Sequence, residues 1–148
     1  MIKLVILVGV DGVGKSTIKK ALEKKSDYKY FVIDRLTDSY VYNQLYNRDI
    51  PAKQDILDFE IALNSIAKVY LVYLTADINT LINRIRKNKK EKINNADIKN
   101  MIKAKKIFDE DYLDNTSLNF ITISTSINNI DVCVDKIIDF VEDKNVIL

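Results

Sequence analysis

Four short apolar runs alternate with longer amphipathic segments along the chain. The runs are rich in β-branched and aliphatic residues, which predicts buried strands at residues 2–8, 30–33, 69–74 and 120–124. Apolar residues recur at helical spacing in residues 16–25, 39–46, 53–66, 78–85, 94–113 and 130–141. This alternation predicts an α/β fold in which a roughly four-stranded parallel sheet lies between two helical layers. We expect a single domain spanning residues 1–148.

The loop after the first apolar run carries a phosphate-binding pattern. Residues 9–17 match G-x-x-x-x-G-K-[ST] and contain all three glycines of the chain. A predicted strand precedes this loop and a helix follows it, as the pattern requires. The predicted ATP-binding residues of the loop are Gly9, Gly12, Val13, Gly14, Lys15, Ser16 and Thr17.

The chemistry of this loop indicates a bound nucleotide. Its backbone amides and the helix N-terminus attract phosphate oxygens. Lys15 would reach the β- and γ-phosphates, and the hydroxyl of Ser16 would bind Mg²⁺. The alternative is a glycine-rich turn without a ligand. The motif and its context favour the three-layer α/β/α architecture of P-loop NTPases.

Composition and charge narrow the class of protein. Apolar residues make up 47% of the chain and charged residues 30%, which is ordinary for a globular protein. The net charge of +2 is too small to indicate nucleic acid or a membrane as a partner. Cys133 is the only cysteine and histidine is absent, which excludes a disulfide framework and histidine-based catalysis. The apolar N-terminal run is too short for a signal peptide or a membrane span. The lone cysteine indicates a cytoplasmic protein.

Two charged residues follow the second predicted strand. Asp34 could hold Mg²⁺ or accept a proton from an acceptor, or it could simply cap the segment that follows. Arg35 offers a planar fork suited to a second phosphate group, with a surface salt bridge as the alternative. Because ligands in parallel sheets bind beyond the carboxyl ends of the strands, we favour the functional interpretation of both.

The segment 84–92 is densely basic. Arg84 and Arg86 would belong to a lid that closes over the transferring phosphoryl group, with Arg84 on ATP and Arg86 in a catalytic role. Lysines 87, 89, 90 and 92 follow them. The alternative is a solvated helix end. Three tyrosines at positions 40, 42 and 46 could stack on a base, although tyrosines on a helix more often serve packing.

The absence of histidine bears on the acceptor. A phosphate monoester has a second pKa of about 6, so its oxygen is already ionised at neutral pH. A kinase that acts on a monophosphate therefore needs positioning and charge neutralisation more than a strong base. A kinase that acts on an alcohol could use Asp34 as its base.

These residues resemble the thymidylate kinase family. The likeness rests on Gly9-x-Asp11-Gly12-x-Gly14-Lys15-Ser16-Thr17 and on Asp34-Arg35-x-x-x-Ser39. Residues 70–86, 91–93 and 96–112 follow the family at the level of pattern. The resemblance implies ATP with Mg²⁺ as the donor and a nucleoside monophosphate as the acceptor. It also makes a homodimer plausible.

The resemblance also implies an acceptor site. Asp11 would contact the sugar 3′-hydroxyl, Asp34 would work near the metal and the acceptor, and Arg35 would hold the acceptor phosphate. Ser39 and Tyr42 complete the predicted substrate-binding set. Only seventeen residues separate Thr17 from Arg35, so the segment that reads the base in that family is missing.

We therefore predict a nucleoside monophosphate kinase, with dTMP as one candidate acceptor. Two alternatives remain at this point. One is a kinase of a nucleoside or another small alcohol, in which Asp34 acts as the base. The other is an ATP-binding relative of the family without kinase turnover, an interpretation that the shortened acceptor region motivates.

Overall fold

A computed structural model describes residues 1–88 and 93–143. Its centre is a parallel sheet of four strands in the order β2-β1-β3-β4. The strands are β1 (Lys3–Val8), β2 (Phe31–Asp34), β3 (Lys68–Thr75) and β4 (Asn119–Ser124). Each neighbouring pair is parallel, which confirms the predicted sheet.

Helices connect the strands and cover both faces of the sheet. They are α1 (Lys15–Lys25), α2 (Ser39–Leu45), α3 (Lys53–Ile66), α4 (Ile78–Asn88), α5 (Asn95–Ile107), α6 (Leu113–Asn115) and α7 (Ile130–Glu142). A π-helical turn, Phe108–Tyr112, joins α5 to α6. Helix α1 packs on α7, whereas α2, α5 and the π-helical turn pack together. None of the described helices is long and apolar enough to cross a membrane.

The two central strands form the core of the domain. Ile6 and Leu7 of β1 are completely buried, as are Leu71 and Val72 of β3. Continuous apolar runs suit such strands because helices cover both faces of the sheet. The carboxyl ends of all four strands lie at one edge, where Leu7 is paired in register with Asp34. That edge carries the candidate site.

The long helix predicted over residues 94–113 is helical throughout, but it is not α-helical throughout. It begins with a capping box, in which the side chain of Asn94 accepts a hydrogen bond from the amide of Asp97 at 2.8 Å. The α-helical part ends at Ile107, and the π-helical turn follows. This turn carries Phe108 and Tyr112, which are both completely buried against the sheet.

Helix α3 buries only part of the apolar face that its sequence predicts. Ile56 is buried, and Leu57 and Leu63 pack partly buried against the core. Phe59 and Ile66 are exposed, whereas Glu60 is completely buried. The reason is a polar network, because Glu60 accepts hydrogen bonds from the hydroxyls of Tyr112 and of Thr116, the latter at 2.7 Å. A buried carboxylate with two hydroxyl donors replaces apolar packing at this point.

Candidate functional site

The phosphate loop lies between β1 and α1, and all three of its glycines have backbone conformations that side chains rarely adopt. Gly9 has φ 152°, and a Cβ atom there would lie 2.3 Å from the carbonyl oxygen of Leu74 in β3. Gly14 is the N-cap of α1 and is left-handed, with φ 98°. The loop therefore packs directly on the end of β3, as only glycine at position 9 permits.

Lys15 folds back into this loop. Its side chain is buried, and its ammonium group donates hydrogen bonds to the carbonyl oxygens of Gly9 and, at 3.2 Å, Val10. Burial lowers the pKa of Lys15, and the negative charge of Asp11 opposes this shift. A buried cation beside a set of backbone amides is suited to bind a polyphosphate.

Asp11 and Arg35 meet across the mouth of the loop. Their side chains form an ion pair at 3.2 Å, and both are exposed. The backbone of Arg35 is left-handed, with φ 66°, and its amide donates a hydrogen bond to the carbonyl oxygen of Leu7 at 3.3 Å. Such a conformation is unfavourable for a residue with a Cβ atom, and it is often found where function fixes a side chain.

Asp34 ends β2 at the same edge. Its carboxylate lies 3.9 Å from the ammonium group of Lys19 in α1, and it is half-buried. Ser16 is exposed in the first turn of α1. One carboxylate and one hydroxyl beside a phosphate-binding loop fit Mg²⁺, which usually keeps several waters and binds substrate phosphates. Among residues 1–88 and 93–143, no cluster of three acidic or thiol side chains offers an all-protein metal site.

Asp38 belongs to the site although the sequence analysis missed it. The residue is buried, and burial raises the pKa of its carboxyl group, whereas the positive charges of Lys15 and Arg35 oppose this shift. Its position immediately before helix α2 resembles that of an ordinary N-cap, but its side chain caps nothing. Ser39 follows it as the half-buried first residue of α2.

A cleft of about 930 Å³ opens beside the phosphate loop. It is lined by the loop and α1, by the end of α4, and by the β4–α7 connection with the start of α7. These residues are Asp11, Gly12, Val13, Gly14, Lys15, Ser16, Thr17, Ile18, Arg35, Arg84, Lys87, Thr125, Asn128, Asn129, Ile130, Asp131 and Cys133. The volume is that of a site for a whole small-molecule ligand.

Arg84 joins the two sides of this cleft. Its guanidinium donates to the carbonyl oxygen of Gly12 at 3.1 Å, and to the hydroxyl and carbonyl oxygens of Thr125 at 2.9 and 2.7 Å. The structure therefore brings Arg84 to the loop, next to the residues that were predicted to bind ATP. The β4–α7 residues carry no motif, so no signal in the sequence could have found them.

The structure does not bring Arg86 to the cleft. Two helical positions separate it from Arg84, which places the two side chains about 200° apart around α4. Arg86 is exposed, and Lys87 lines the cleft instead. The remaining residues of the basic segment, which are Lys89, Lys90, Glu91 and Lys92, lie outside the described residues.

A second, smaller pocket of about 110 Å³ lies on the other side of Asp11. Its polar lining residues include Tyr42, Asp97 and Asn100, of which only Tyr42 was predicted. The ring of Tyr42 stacks against that of Tyr46, with 6.4 Å between the ring centres, and it meets the ring of Phe108 edge-on, with 6.2 Å between the centres. Asp97 and Asn100 are three positions apart on α5, which puts them on one face of the helix.

Neither a protein-family model nor a curated protein matches this chain. Solved structures do match it. YorR from Bacillus subtilis, in complex with phosphorylated GDP, is 24% identical, and the match covers 95% of this chain and 96% of YorR with a TM-score of 0.73. Deoxyadenosine kinase from M. mycoides with bound dCTP is 15% identical, with 95% and 99% covered and a TM-score of 0.64.

Thymidylate kinase from Candida albicans is also similar. It is 15% identical, with 97% of this chain and 92% of that kinase covered and a TM-score of 0.61. This chain has the fold of the P-loop kinases. At these levels of identity the similarity concerns the fold, so the chemistry has to be argued from this chain's own residues.

Proposed function

We propose that this protein is a P-loop kinase that transfers the γ-phosphoryl group of a purine nucleoside triphosphate to a nucleoside monophosphate. ATP with Mg²⁺ is the donor that the sequence resemblance implies. The observation that carries the proposal is the position of Asp11, which lines both the large cleft and the small pocket. Two ligands placed in these cavities would meet at the phosphate loop.

The large cleft suits the donor. It contains the loop amides, the buried ammonium group of Lys15 and the guanidinium of Arg84, and these groups together complement a chain of phosphates. The smaller pocket is below the roughly 300 Å³ of a typical ligand site, so it would take only part of an acceptor. Arg35 lines the large cleft and pairs with Asp11, which lines both cavities, and Arg35 would hold the acceptor phosphate.

The transfer would proceed by direct displacement. An ionised phosphate oxygen of the acceptor attacks the γ-phosphorus, and the bond from that phosphorus to the β–γ bridging oxygen breaks. The bridging oxygen keeps the electron pair and leaves with the nucleoside diphosphate. Lys15 and Arg35 would neutralise charge on the two substrates, and Ser16 with Asp34 would hold Mg²⁺, which would supply further positive charge at the donor.

The similar structures support the reaction class. Two of them are described as kinases of a nucleoside or a nucleotide, and the third holds phosphorylated GDP. Their acceptors differ, so the likeness does not favour dTMP over other monophosphates.

The deciding experiment is a panel of nucleoside monophosphates and nucleosides incubated with ATP–Mg²⁺ or GTP–Mg²⁺. Formation of a diphosphate from one or a few monophosphates is the expected result, with Lys15→Ala as the inactive control. A folded protein that binds a triphosphate and transfers nothing to any acceptor would overturn the proposal in favour of a non-catalytic nucleotide-binding protein.

A nucleoside kinase is the second candidate, and Asp38 is the observation that favours it. An alcohol acceptor needs a base, and a buried carboxylate with a raised pKa close to Lys15 and Arg35 has the required character. In that case the same panel yields monophosphates from nucleosides. Asp38→Asn would then abolish turnover and leave nucleotide binding intact. Asp34→Asn, measured in the same way, distinguishes Asp38 from Asp34 as the base.

A further inference from the structure

The large cleft is also lined by three polar side chains to which the phosphate chemistry gives no role. Asn128, Asn129 and Asp131 line it in the β4–α7 connection and the first turn of α7. They lie in the same cleft as Lys15, so a donor whose phosphates occupy the loop would extend its base towards them.

The hydrogen bonds already made decide what each side chain can still offer. The amide nitrogen of Asn128 donates to the carbonyl oxygen of Ser124 at 2.9 Å, which leaves its side-chain oxygen as an acceptor. The side-chain oxygen of Asn129 accepts from the amide of Val132 at 2.9 Å, which leaves its NH₂ group as a donor.

Asp131 is the charged member of this set. Within residues 1–88 and 93–143 its carboxylate accepts no hydrogen bond and forms no ion pair. The pKa of Lys25 is raised first by the hydrogen bond of that lysine with Asp135 and also by the charge of Asp131, so both carboxylates act on the same lysine. Asp131 is exposed and lines the cleft, so its carboxylate stays solvated until a ligand reaches it. An ionised carboxylate can only accept hydrogen bonds, and it can accept two from one planar edge.

Purine bases differ at the edge that such a carboxylate would meet. Guanine presents two adjacent donors, N1–H and the N2 amino group, and its O6 is an acceptor suited to the NH₂ group of Asn129. Adenine presents the N6 amino group beside the lone pair of N1, so a carboxylate meets one donor and one repelling acceptor.

We propose that Asp131 is a specificity-determining residue that makes a guanine nucleotide the preferred donor over ATP. This inference rests on the proposed function, because it concerns the base of the donor in the same cleft. The bidentate contact of Asp131 with guanine N1–H and N2 carries the preference, and Asn129 supports it at O6.

The test measures equilibrium binding of Mg²⁺ complexes of GDP, ADP and xanthosine diphosphate by calorimetry, without any acceptor. The native protein should bind GDP at least about tenfold more tightly than ADP, as the loss of a charge-assisted hydrogen bond implies. Asp131→Asn should weaken GDP about tenfold to a hundredfold. The same variant should bind xanthosine diphosphate more tightly than the native protein does, because the asparagine NH₂ group can donate a hydrogen bond to the oxygen at position 2 of xanthine.

Asp135→Asn is the matched control. It removes the same charge from the same helix one turn away, where Asp135 pairs with Lys25 outside the cleft, and it should leave all three affinities within about twofold. ADP binding as tight as GDP in the native protein would overturn the inference, as would equal effects of the two variants. Failure to bind any nucleotide would overturn the proposed function itself. Tight, base-selective binding without phosphoryl transfer would overturn the kinase and leave the assignment of Asp131 standing.

Discussion

Arg84 in helix α4 donates a hydrogen bond to the carbonyl oxygen of Gly12 in the phosphate loop, at 3.1 Å. The same guanidinium also donates hydrogen bonds to Thr125 after β4. One side chain of α4 is therefore linked to the phosphate loop and to the β4–α7 connection, which are far apart in the sequence. A planar fork with several donors can do this, whereas an ammonium group cannot.

Two substitutions of Arg84 should therefore show whether nucleotide affinity depends on its charge or on the geometry of its guanidinium. We expect Arg84→Ala to weaken nucleotide binding about tenfold to a hundredfold, because several charge-assisted hydrogen bonds are lost. Arg84→Lys should recover little of that affinity, although it keeps the charge. Titration calorimetry with a nucleoside diphosphate measures both. Lys20→Ala, on the exposed face of α1, is the control. Full affinity in Arg84→Lys would show that charge alone matters.

Arg35 should show a conflict between stability and activity. Its left-handed backbone, with φ 66°, favours glycine over any residue with a Cβ atom. We expect Arg35→Gly to be more stable than Arg35→Ala by about 1 kcal/mol, while both lose acceptor binding because both lack the guanidinium. Urea unfolding and the acceptor KM give the two readouts. Equal stability of the two variants would show that the conformation of residue 35 relaxes after substitution.

The ion pair of Asp11 and Arg35 should contribute little to stability. Both side chains are exposed, and pairs of that kind stabilise proteins by at most about 1 kcal/mol. We expect Asp11→Asn to leave the urea midpoint almost unchanged and to raise the acceptor KM several-fold, because Asp11 lines both cavities. A large loss of stability with an unchanged KM would mean that Asp11 is a structural residue only.

The buried network around Glu60 should matter for folding. The hydroxyl of Tyr112 donates to Glu60 and lies 2.7 Å from the hydroxyl of Thr37. We expect Tyr112→Phe to lower the free energy of unfolding by about 1–3 kcal/mol, since it removes one donor from a buried carboxylate. The loss should shrink in a Glu60→Gln background, which has no charge to satisfy. An undiminished loss in that background would attribute the effect to Thr37 instead.

Asp38 should make stability depend on pH in an unusual direction. Burial raises the pKa of its carboxyl group, so the folded protein holds that proton at pH values where the unfolded chain has released it. The contribution of Asp38 to stability is therefore best below its ordinary pKa of about 3.8 and falls as pH rises through the folded value. Relative to the native protein, Asp38→Asn should gain stability between pH 4 and 7. Urea unfolding of both proteins across that range measures the difference.

The strands and the phosphate loop were predictable because their signals are local. Residues 9–17 carry a fixed spacing, and the apolar runs of β1 and β3 are continuous, so neither depends on distant contacts. The exposed face of α3 was not predictable in the same way. Its apolar residues Phe59 and Ile66 suggested a buried stripe, but the hydroxyls of Tyr112 and Thr116 draw Glu60 inward from more than fifty positions away.

The candidate site was predictable only in part, for the same reason. The basic segment predicted both arginines for the site, Arg84 on ATP and Arg86 in a catalytic role, but the packing of α4 on Gly12 brings Arg84 to the cleft and leaves Arg86 outside it. Asp131 and Asn128 belong to the site only because β4 pairs with β3, which brings the β4–α7 connection to the same edge of the sheet.

The hydrogen bonds that Lys15 makes within its own loop should weaken the binding of small anions. Its ammonium group is held by two carbonyl oxygens of its own loop, and an arriving anion has to compete with them. A single phosphate contacts only one part of the loop, so the hydrogen bonds that it gains offset little of what is lost when Lys15 leaves its two carbonyl oxygens. A chain of phosphates gains the amides and the helix N-terminus as well. We therefore expect the loop to favour a chain of phosphates over a single phosphate group.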